Sequence, residues 1–466
     1  MKALVLSSLA LALSACSTQS LVQGDPDMGV LMSGDFDLGG GGVIPPLFGD
    51  AAQVTYTCAN EIHVAPNGSD SASGSAAAPM KTIAKATPKA QAGDCIQVHA
   101  GTYAETTTIA FAHDGTQAAP VVLRSADGKG AAIIDAIGNR SGPTVLVRND
   151  FVVIDGFEFK NSPTDTSEQV VHFDGLNMNK CNGSVLRNCK ITGGFDHIKI
   201  NQAAPNVTVE FNELYGKFGH LPVSLTGAPG LVFRGNFGHD WNTGGNGAIQ
   251  LKGGSHDVLF DGNRFQDVTS DSGTIAMGDG CDSTCDIDPN HFAAVRVRAI
   301  NNVMVRVGRG FDVQGCKDCA VLSNTIIDSG TGNVIVKVTS AATNGTTQNS
   351  VNVRIVDNLI ASASGNLGNV MQVNSGSGTG LVSDYNLVYN GGKAVSWGDG
   401  HPTTADTHSV TGDPKLSSAS TGDYTPGAGS AAIGAGTNLF SDVPHDILGA
   451  ARPSSGAFDI GAYQTK

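Results

Sequence analysis

The sequence predicts an all-β chain whose strands stack as the rungs of a solenoid. Three observations carry this. First, a unit of apolar strand, Asn and apolar strand recurs over residues 185–265. It reads Val185-Leu186-Arg187-Asn188-Cys189-Lys190-Ile191, then Val209-Glu210-Phe211-Asn212-Glu213-Leu214. Val232-Phe233-Arg234-Gly235-Asn236-Phe237 and Leu259-Phe260-Asp261-Gly262-Asn263-Arg264-Phe265 follow, with Asn gaps of 24, 24 and 27 residues. A fixed period of this size marks stacked supersecondary units. Second, apolar and polar residues alternate within each unit, the period of a strand. Third, Gly is abundant, at 61 of 466 residues, while aromatics are only 6%. That composition suits a chain of tight turns, and a solenoid escapes the usual size limit of one core because each rung touches only its neighbours.

The recurring Asn has two expected roles. A short bend between strands needs a residue that tolerates left-handed backbone. Stacked Asn side chains can also hydrogen-bond from rung to rung. Ile154-Asp155-Gly156-Phe157 reads as an earlier copy without the Asn; Asn302, Asn324, Asn358 and Asn386 read as later ones, after gaps of 39, 22, 34 and 28. The two longest gaps hold Asp282-Ser283-Thr284 and Ala341 to Ser350, read as loop insertions on one side of the coil.

In chain order, residues 1–15 form a targeting segment. Met1-Lys2 starts it, and Ala3 to Leu13 is an apolar run too short to span a bilayer. Leu13-Ser14-Ala15-Cys16 resembles the bacterial lipobox, which implies lipidation at Cys16 and a lipid anchor in the cell envelope. Residues 16–52, with Gly39 to Gly42 and Pro45-Pro46, read as a flexible tether. Residues 53–466 read as one domain, with an N-terminal cap at 53–103 in which Pro79 to Ala92 forms a short amphipathic helix. Met80, Ile83, Ala84 and Ala90 share its apolar side. Such a helix would cover the open end of the solenoid.

The remaining Cys are 58, 95, 181, 189, 281, 285, 316 and 319. An even number in an exported chain predicts disulfides, though eight Cys allow 105 connectivities. Proximity favours Cys181 with Cys189, Cys281 with Cys285 and Cys316 with Cys319, leaving Cys58 with Cys95 to staple the cap. Cys316-Lys317-Asp318-Cys319 also has the spacing of a redox or zinc half-site. The net charge of −14 argues against nucleic acid or an anionic membrane surface as the main partner. It leaves an acidic glycan open, since a local cation can reverse the field.

His63-Val64-Ala65-Pro66-Asn67-Gly68-Ser69-Asp70, Ala78-Pro79-Met80-Lys81-Thr82-Ile83, Ala92-Gly93-Asp94 and Gly101-Thr102-Tyr103 resemble the opening of secreted right-handed parallel β-helix proteins of the pectate-lyase-like superfamily. Gly412-Asp413-Pro414, Gly429-Ser430-Ala431-Ala432-Ile433, Arg452-Pro453 and Phe458-Asp459-Ile460-Gly461-Ala462-Tyr463 resemble their closing segment, here 412–466. The resemblance covers residues 60–463 and implies a right-handed parallel β-helix with three strands per rung. It is specific for fold; the scaffold hosts lyases, hydrolases, epimerases and adhesins.

It also implies a working face on one sheet. The strands assigned to it are Val171 to Asp174, Ile198 to Asn201, Val223 to Thr226, Ile249 to Lys252, Ile275 to Gly278, Phe311 to Gln314, Val336 to Thr339 and Met371 to Asn374. Alternation leaves two outward columns. One is His172, Lys199, Ser224, Gln250, Ala276, Asp312, Lys337, Gln372. The other is Asp174, Asn201, Thr226, Lys252, Gly278, Gln314, Thr339, Asn374. At a rung repeat of roughly 4.8 Å, such columns suit a polysaccharide.

Lys252, before Gly253, resembles the Brønsted-base lysine of alginate and chondroitin lyases on this fold. Gly245 and Gly247 stand where those enzymes carry calcium ligands. Uronate β-elimination needs a base for the C5 proton and a cation to neutralise the carboxylate. Lys252 is the expected base, Lys199 or Arg309 the neutralising group, and His239 or His220 the acid. His197, His220 and His239, at near-rung spacing, would cluster. His172, His197, Asn201, Gln250, Asp240, Trp241 and Gln314 are the expected substrate contacts. The acidic loop carrying Asp279, Asp282, Asp286 and Asp288 is the expected Ca²⁺ site. The competing expectation is a glycan-binding or adhesion module using the same polar face.

Overall fold

The computed structural model describes residues 55–136, 142–161, 168–175, 180–244, 246–330 and 334–465. The targeting segment, Cys16 and the tether lie outside them. Among the described residues, three long sheets form, of twelve, twelve and ten strands, and every pairing within them that joins successive rungs is parallel. Sheet 1 runs from Glu61–Val64 to Val382–Asp384, sheet 2 from Gly101–Glu105 to Val410–Thr411, and sheet 3 from Ile109–Ala110 to Asn369–Val373. Each rung passes through sheets 1, 2 and 3 in turn. The inward side chains form one continuous core from Val64 to Val388. No helix among the described residues is long and apolar enough to cross a membrane.

The Asn repeat becomes a hydrogen-bonded ladder at the corner between sheets 1 and 2. Asn212 Nδ2 donates to Asn236 Oδ1 at 3.0 Å, and the chain continues through Asn263, Asn302, Asn324 and Asn358 to Asn386. Asn188 is not part of it. The register pairs Lys190 with Glu213, so Cys189 occupies the ladder position and its N–H donates to Asn212 Oδ1. The left-handed backbone is also one residue earlier than expected. Asn188, Phe211, Gly235, Gly262, Asn301, Ser323, Asp357 and Tyr385 take positive φ. The ladder Asn makes the bonds, and its predecessor makes the bend. Gly serves there at no steric cost, whereas Phe211 and Tyr385 hold a conformation bulky residues avoid.

Sheet 1 carries a second column that the sequence reading missed. Register places Arg124, Asp155, Arg187, Glu210, Arg234 and Asp261 side by side on successive rungs. The charges alternate in sign. Glu210 meets Arg234 at 2.7 Å and Arg187 at 3.5 Å. Tyr56 hydroxyl donates to Asp155 at one end, and His445 meets Asp261 at 3.2 Å at the other. Beyond Asp261 the column turns apolar, with Ile300, Leu322 and Val356 buried.

The cap helix is shorter than expected, Ile83–Ala86 followed by a 3₁₀ turn Thr87–Lys89. Pro88 has no N–H to continue the helix. Met80, Ile83 and Ala90 are buried beneath it and Ala84 partly so. Buried Glu105 accepts from the Ile83 N–H at 2.7 Å, a cap supplied from the end of the strand Gly101–Glu105. The closing segment lies along sheet 2. Tyr424, Ala432, Ile460, Ala462 and Tyr463 pack on Val303, Val305, Ile327, Leu359 and Leu387, along the outside of sheet 2. Val395 and Trp397 pack instead against the main core.

Cys58–Cys95, Cys281–Cys285 and Cys316–Cys319 are disulfides, so the last pair is neither a dithiol nor a zinc half-site here. The expected Cys181–Cys189 bond is absent; both are buried free thiols. They lie on either side of the strand Val185–Arg187. Cys181 Sγ meets Val147 carbonyl at 3.0 Å, and Cys189 Sγ meets Arg187 carbonyl at 3.1 Å.

Candidate functional site

The strands expected on the working face are consecutive in sheet 3, and their register matches residue for residue. Val171 pairs with Ile198, Ile198 with Val223, Val223 with Ile249, Ile249 with Ile275, Ile275 with Phe311, Phe311 with Val336 and Val336 with Met371. The column from His172 to Gln372 is therefore real. In the second column Asp174 pairs with Asn201, Thr226 with Lys252 and Gln314 with Thr339. The inward partners, such as Ile198, Val223 and Ile249, are fully buried, which fixes the outward set.

The face is not uniformly solvated. Asp174, Ser224, Thr226, Ala276 and Asp312 are buried, whereas Lys199, Gln250, Lys252, Gln314, Lys337 and Gln372 are partly exposed. Asp174 is held by Arg148 at 2.6 Å. His172 bonds Asn201 Oδ1 at 3.0 Å, and burial lowers its pKa below the usual histidine value. Gln250 Nε2 donates to Asp279.

Lysine chemistry concentrates on three neighbouring rungs. Lys199 Nζ donates to Ser224 Oγ at 2.8 Å and makes no carboxylate ion pair among the described residues. Burial pushes the Lys199 pKa below the ordinary lysine value; the charge of Lys252 acts the same way, and Asp196 opposes. The Lys252 carbonyl accepts from the Gly227 N–H and Ser255 Oγ, while its side chain makes no hydrogen bond or ion pair among the described residues. Beside Lys199, Asp196 accepts from His220 Nδ1 at 2.9 Å and from the Leu221 N–H. Burial raises the Asp196 pKa, partly offset by His220. A depressed lysine, a second cation and a carboxylate-oriented imidazole thus occupy one stretch of the face.

Several expected contacts lie elsewhere. The three histidines do not share one environment. His197 is fully buried between Phe218 and Trp241, and burial drops its pKa to about 4. Trp241 is 1% exposed. Neither ring presents a surface to a glycan. His239 belongs to sheet 2, on the strand Phe237–Gly244. It stacks on Tyr215 and Phe237 and is bonded to Asp240 and Glu213. That position removes it from the lysines' sheet. Arg309 is engaged by Asp312 at 3.0 Å, so its guanidinium is already neutralised.

The acidic loop follows Lys252 in space, with Ile287 N–H donating to Gly253 carbonyl. It also meets the second insertion, where Cys281 N–H donates to Ala342 carbonyl. Both insertions therefore sit on the same side. Its carboxylates each have an internal partner. Asp279 takes Gln250 and the Gly280 N–H, and Asp282 takes Thr284. Asp286 pairs with His291 at 2.6 Å, and Asp288 takes the Phe292 N–H. Among the described residues no three His, Cys, Asp or Glu side chains are gathered as metal ligands. The loop does not fit the expected Ca²⁺ cage.

At the opposite edge of the face, the turn from sheet 2 into sheet 3 forms an open pocket of about 280 Å³. Gly193, Gly194, Gly216, Lys217 and Phe218 line it with Asp240 and Asn242. Of these only Asp240 was singled out from sequence. The detectable signal was the Gly-rich turn at one rung spacing, Gly193-Gly194 and Gly216.

Residues 62–217 match the model for the Pel9A-like, right handed beta helix region. Pectate lyase PEL9 of Emericella nidulans is 32% identical over 124 residues, 27% of this chain and 25% of that protein. The uncharacterized protein YwoF of Bacillus subtilis is 34% identical over 88 residues, 19% of this chain and 18% of that protein. The aligned stretches thus span a quarter or less of these relatives. Among solved structures, pectate lyase Pel9A is 18% identical with a TM-score of 0.47, covering 88% of this chain and 98% of that one. A rhamnogalacturonan lyase is 15% identical with a TM-score of 0.45, covering 75% and 87%. By its stacked parallel sheets the chain is an all-β parallel β-helix, and over residues 62–217 it is similar to the Pel9A-like right-handed β-helix region.

Proposed function

We propose that this protein is a polysaccharide lyase that cleaves an acidic, uronate-containing glycan by β-elimination on the outer face of sheet 3. The observation that carries the reading is Lys199, whose pKa is lowered by burial beside a second, unpaired cation, Lys252. A base near neutral pH needs such a depressed lysine. The similarity of residues 62–217 to the pectate-lyase region supports the same substrate class.

The roles expected of the two lysines exchange. Lys199, as free amine, takes the C5 proton. Lys252 neutralises the carboxylate, which stabilises the charge left at C5. The electron pair forms the C4–C5 double bond as the C4–O4 bond breaks. His220, oriented by Asp196, delivers a proton to O4. No water is consumed, and the product is an unsaturated uronate. Lipid anchoring through Cys16 would place the enzyme at the bacterial envelope.

The test is ultraviolet absorbance of the unsaturated product, with pectate, alginate and chondroitin, each with and without Ca²⁺. Lys199→Ala should lower kcat by about 10²–10⁴-fold, the usual worth of a general base. Activity should rise with pH as the Lys199 amine loses its proton. A rise in absorbance that survives Lys199→Ala refutes the base assignment. No rise on any acidic glycan, together with retained glycan binding, establishes the binding module instead.

A further inference from the structure

The pocket at the turn from sheet 2 into sheet 3 has no place in the elimination steps, yet its lining is chemically specific. We propose that it is a subsite for one sugar ring of the bound glycan, next to the reacting ring; the assignment of an acidic sugar rests on the lyase reading. Its volume of about 280 Å³ is near the lower bound of the roughly 300–1,000 Å³ that small-molecule sites occupy. That matches one ring rather than a chain.

The turn residues come from three consecutive rungs. Gly193, Gly194 and Gly216 line it without side chains, so a ring can approach the backbone closely. Phe218 contributes an aromatic face for the ring's C–H surface, and it is only partly buried. Asp240 and Asn242 contribute the planar polar groups that hold vicinal hydroxyls. One Asp240 oxygen is already bonded to His239 Nδ1 at 2.8 Å, which orients the carboxylate. Lys217 supplies the cation for a uronate carboxylate; its side chain is exposed and makes no bond among the described residues.

A second observation lies behind Phe218. His197 meets it edge-on at 5.9 Å and lies 6.2 Å from Trp241, the residue between Asp240 and Asn242. His197 Nδ1 and Trp241 Nε1 are both buried without a hydrogen-bond partner. Two adjacent orphaned nitrogens are costly in a purely structural core. Directly behind a sugar pocket they are groups that a water bridging to the bound ring satisfies.

The test is titration calorimetry of the full folded chain with trimers of galacturonate, mannuronate and guluronate. Phe218→Ala and Asn242→Ala should each weaken binding of the recognised trimer by about tenfold, the worth of one aromatic or polar contact. The unfolding midpoint should stay put. Lys217→Ala should weaken the uronate trimer but not its carboxyl-reduced counterpart. Unchanged affinity in both Phe218→Ala and Asn242→Ala overturns the subsite, as does failure of every trimer to bind. Weakened binding in a chain that shows no lyase activity keeps the subsite and removes the lyase reading.

Discussion

Replacing Asn263 with Ala should cut through the Asn ladder at its centre. The side chain is fully buried and makes four hydrogen bonds. Its Oδ1 accepts from the Asn236 N–H at 2.9 Å and from Asn236 Nδ2 at 3.1 Å. Its Nδ2 donates to Asn302 Oδ1 at 2.9 Å and to Phe233 carbonyl at 2.8 Å. After substitution, Asn302 Oδ1 keeps the residue 263 N–H, and Asn236 Nδ2 keeps Val209 and Arg234 carbonyls. The Asn236 N–H loses its side-chain acceptor inside the corner. One stranded donor costs about 1–3 kcal/mol and three further lost bonds about 1 kcal/mol each, so the expected loss is roughly 4–6 kcal/mol. Denaturant unfolding measures the total, and hydrogen exchange at Asn236 reports the local opening, since rungs of a solenoid destabilise locally first. Asn188→Gly is the control. It keeps the left-handed backbone and loses one bond, to Asp155, so about 1 kcal/mol is expected. A loss below about 1.5 kcal/mol for Asn263→Ala, or equal losses in the two variants, would refute a load carried by the ladder rather than by the bend.

Three further outcomes follow from the same structure. Glu210→Ala leaves buried Arg187 and the partly exposed Arg234 without their carboxylate, so a loss of about 3 kcal/mol, the low end for a broken buried pair because solvent screens Arg234, is expected in denaturant unfolding. Thiol titration of the oxidised chain lacking residues 1–16 should read none while folded and two after denaturation, from Cys181 and Cys189; a native thiol signal contradicts their burial. The grip of the closing segment should be strongest in mild acid. Burial raises the Asp357 pKa to about 7, so its proton is retained in the folded state after the unfolded chain has lost it. Stability therefore falls as pH rises from about 4 to 7, and Asp357→Asn should flatten that slope. His445, raised to about 9 with Asp261 bonded against burial, contributes stability below about pH 6.5 that is lost as pH climbs through 9. Unfolding midpoints across pH check both signs.

Much of the fold was legible because periodicity and alternation are direct consequences of stacking. The sheet 3 strands from Val171 to Met371 pair in the register that alternation alone requires. The misreadings are of one residue. Aligning Asn188 with Asn212 ignored that the bend and the ladder are adjacent positions, and that a Cys can sit where an Asn does elsewhere. Proximity in sequence, a separate argument, suggested the Cys181–Cys189 bond, which the two buried free thiols contradict. The site was less legible. Lys199 and Lys252 follow from alternation, but the burial that lowers the Lys199 pKa depends on what covers the face. Trp241 and His197 lie at outward positions by pattern, and only the packing of three successive turns encloses them. Arg309 is spent on Asp312 three residues away, a pairing that sequence shows as two unrelated polar residues.

The two columns place opposite constraints on how such a chain can lengthen. The Asn column has a repeat of one rung, so copying any single rung from Asn212 onward restores it intact. The charge column has a repeat of two. Copying one rung between Arg124 and Asp261 would set two arginines or two carboxylates against each other in a row whose carboxylates are buried, at a cost a marginally stable solenoid does not absorb. Beyond Asp261, where the same column reads Ile300, Leu322 and Val356, a single rung can be added or lost without that penalty. Length variation among chains of this design should therefore come in pairs of rungs on the N-terminal side of Asp261 and in single rungs after it.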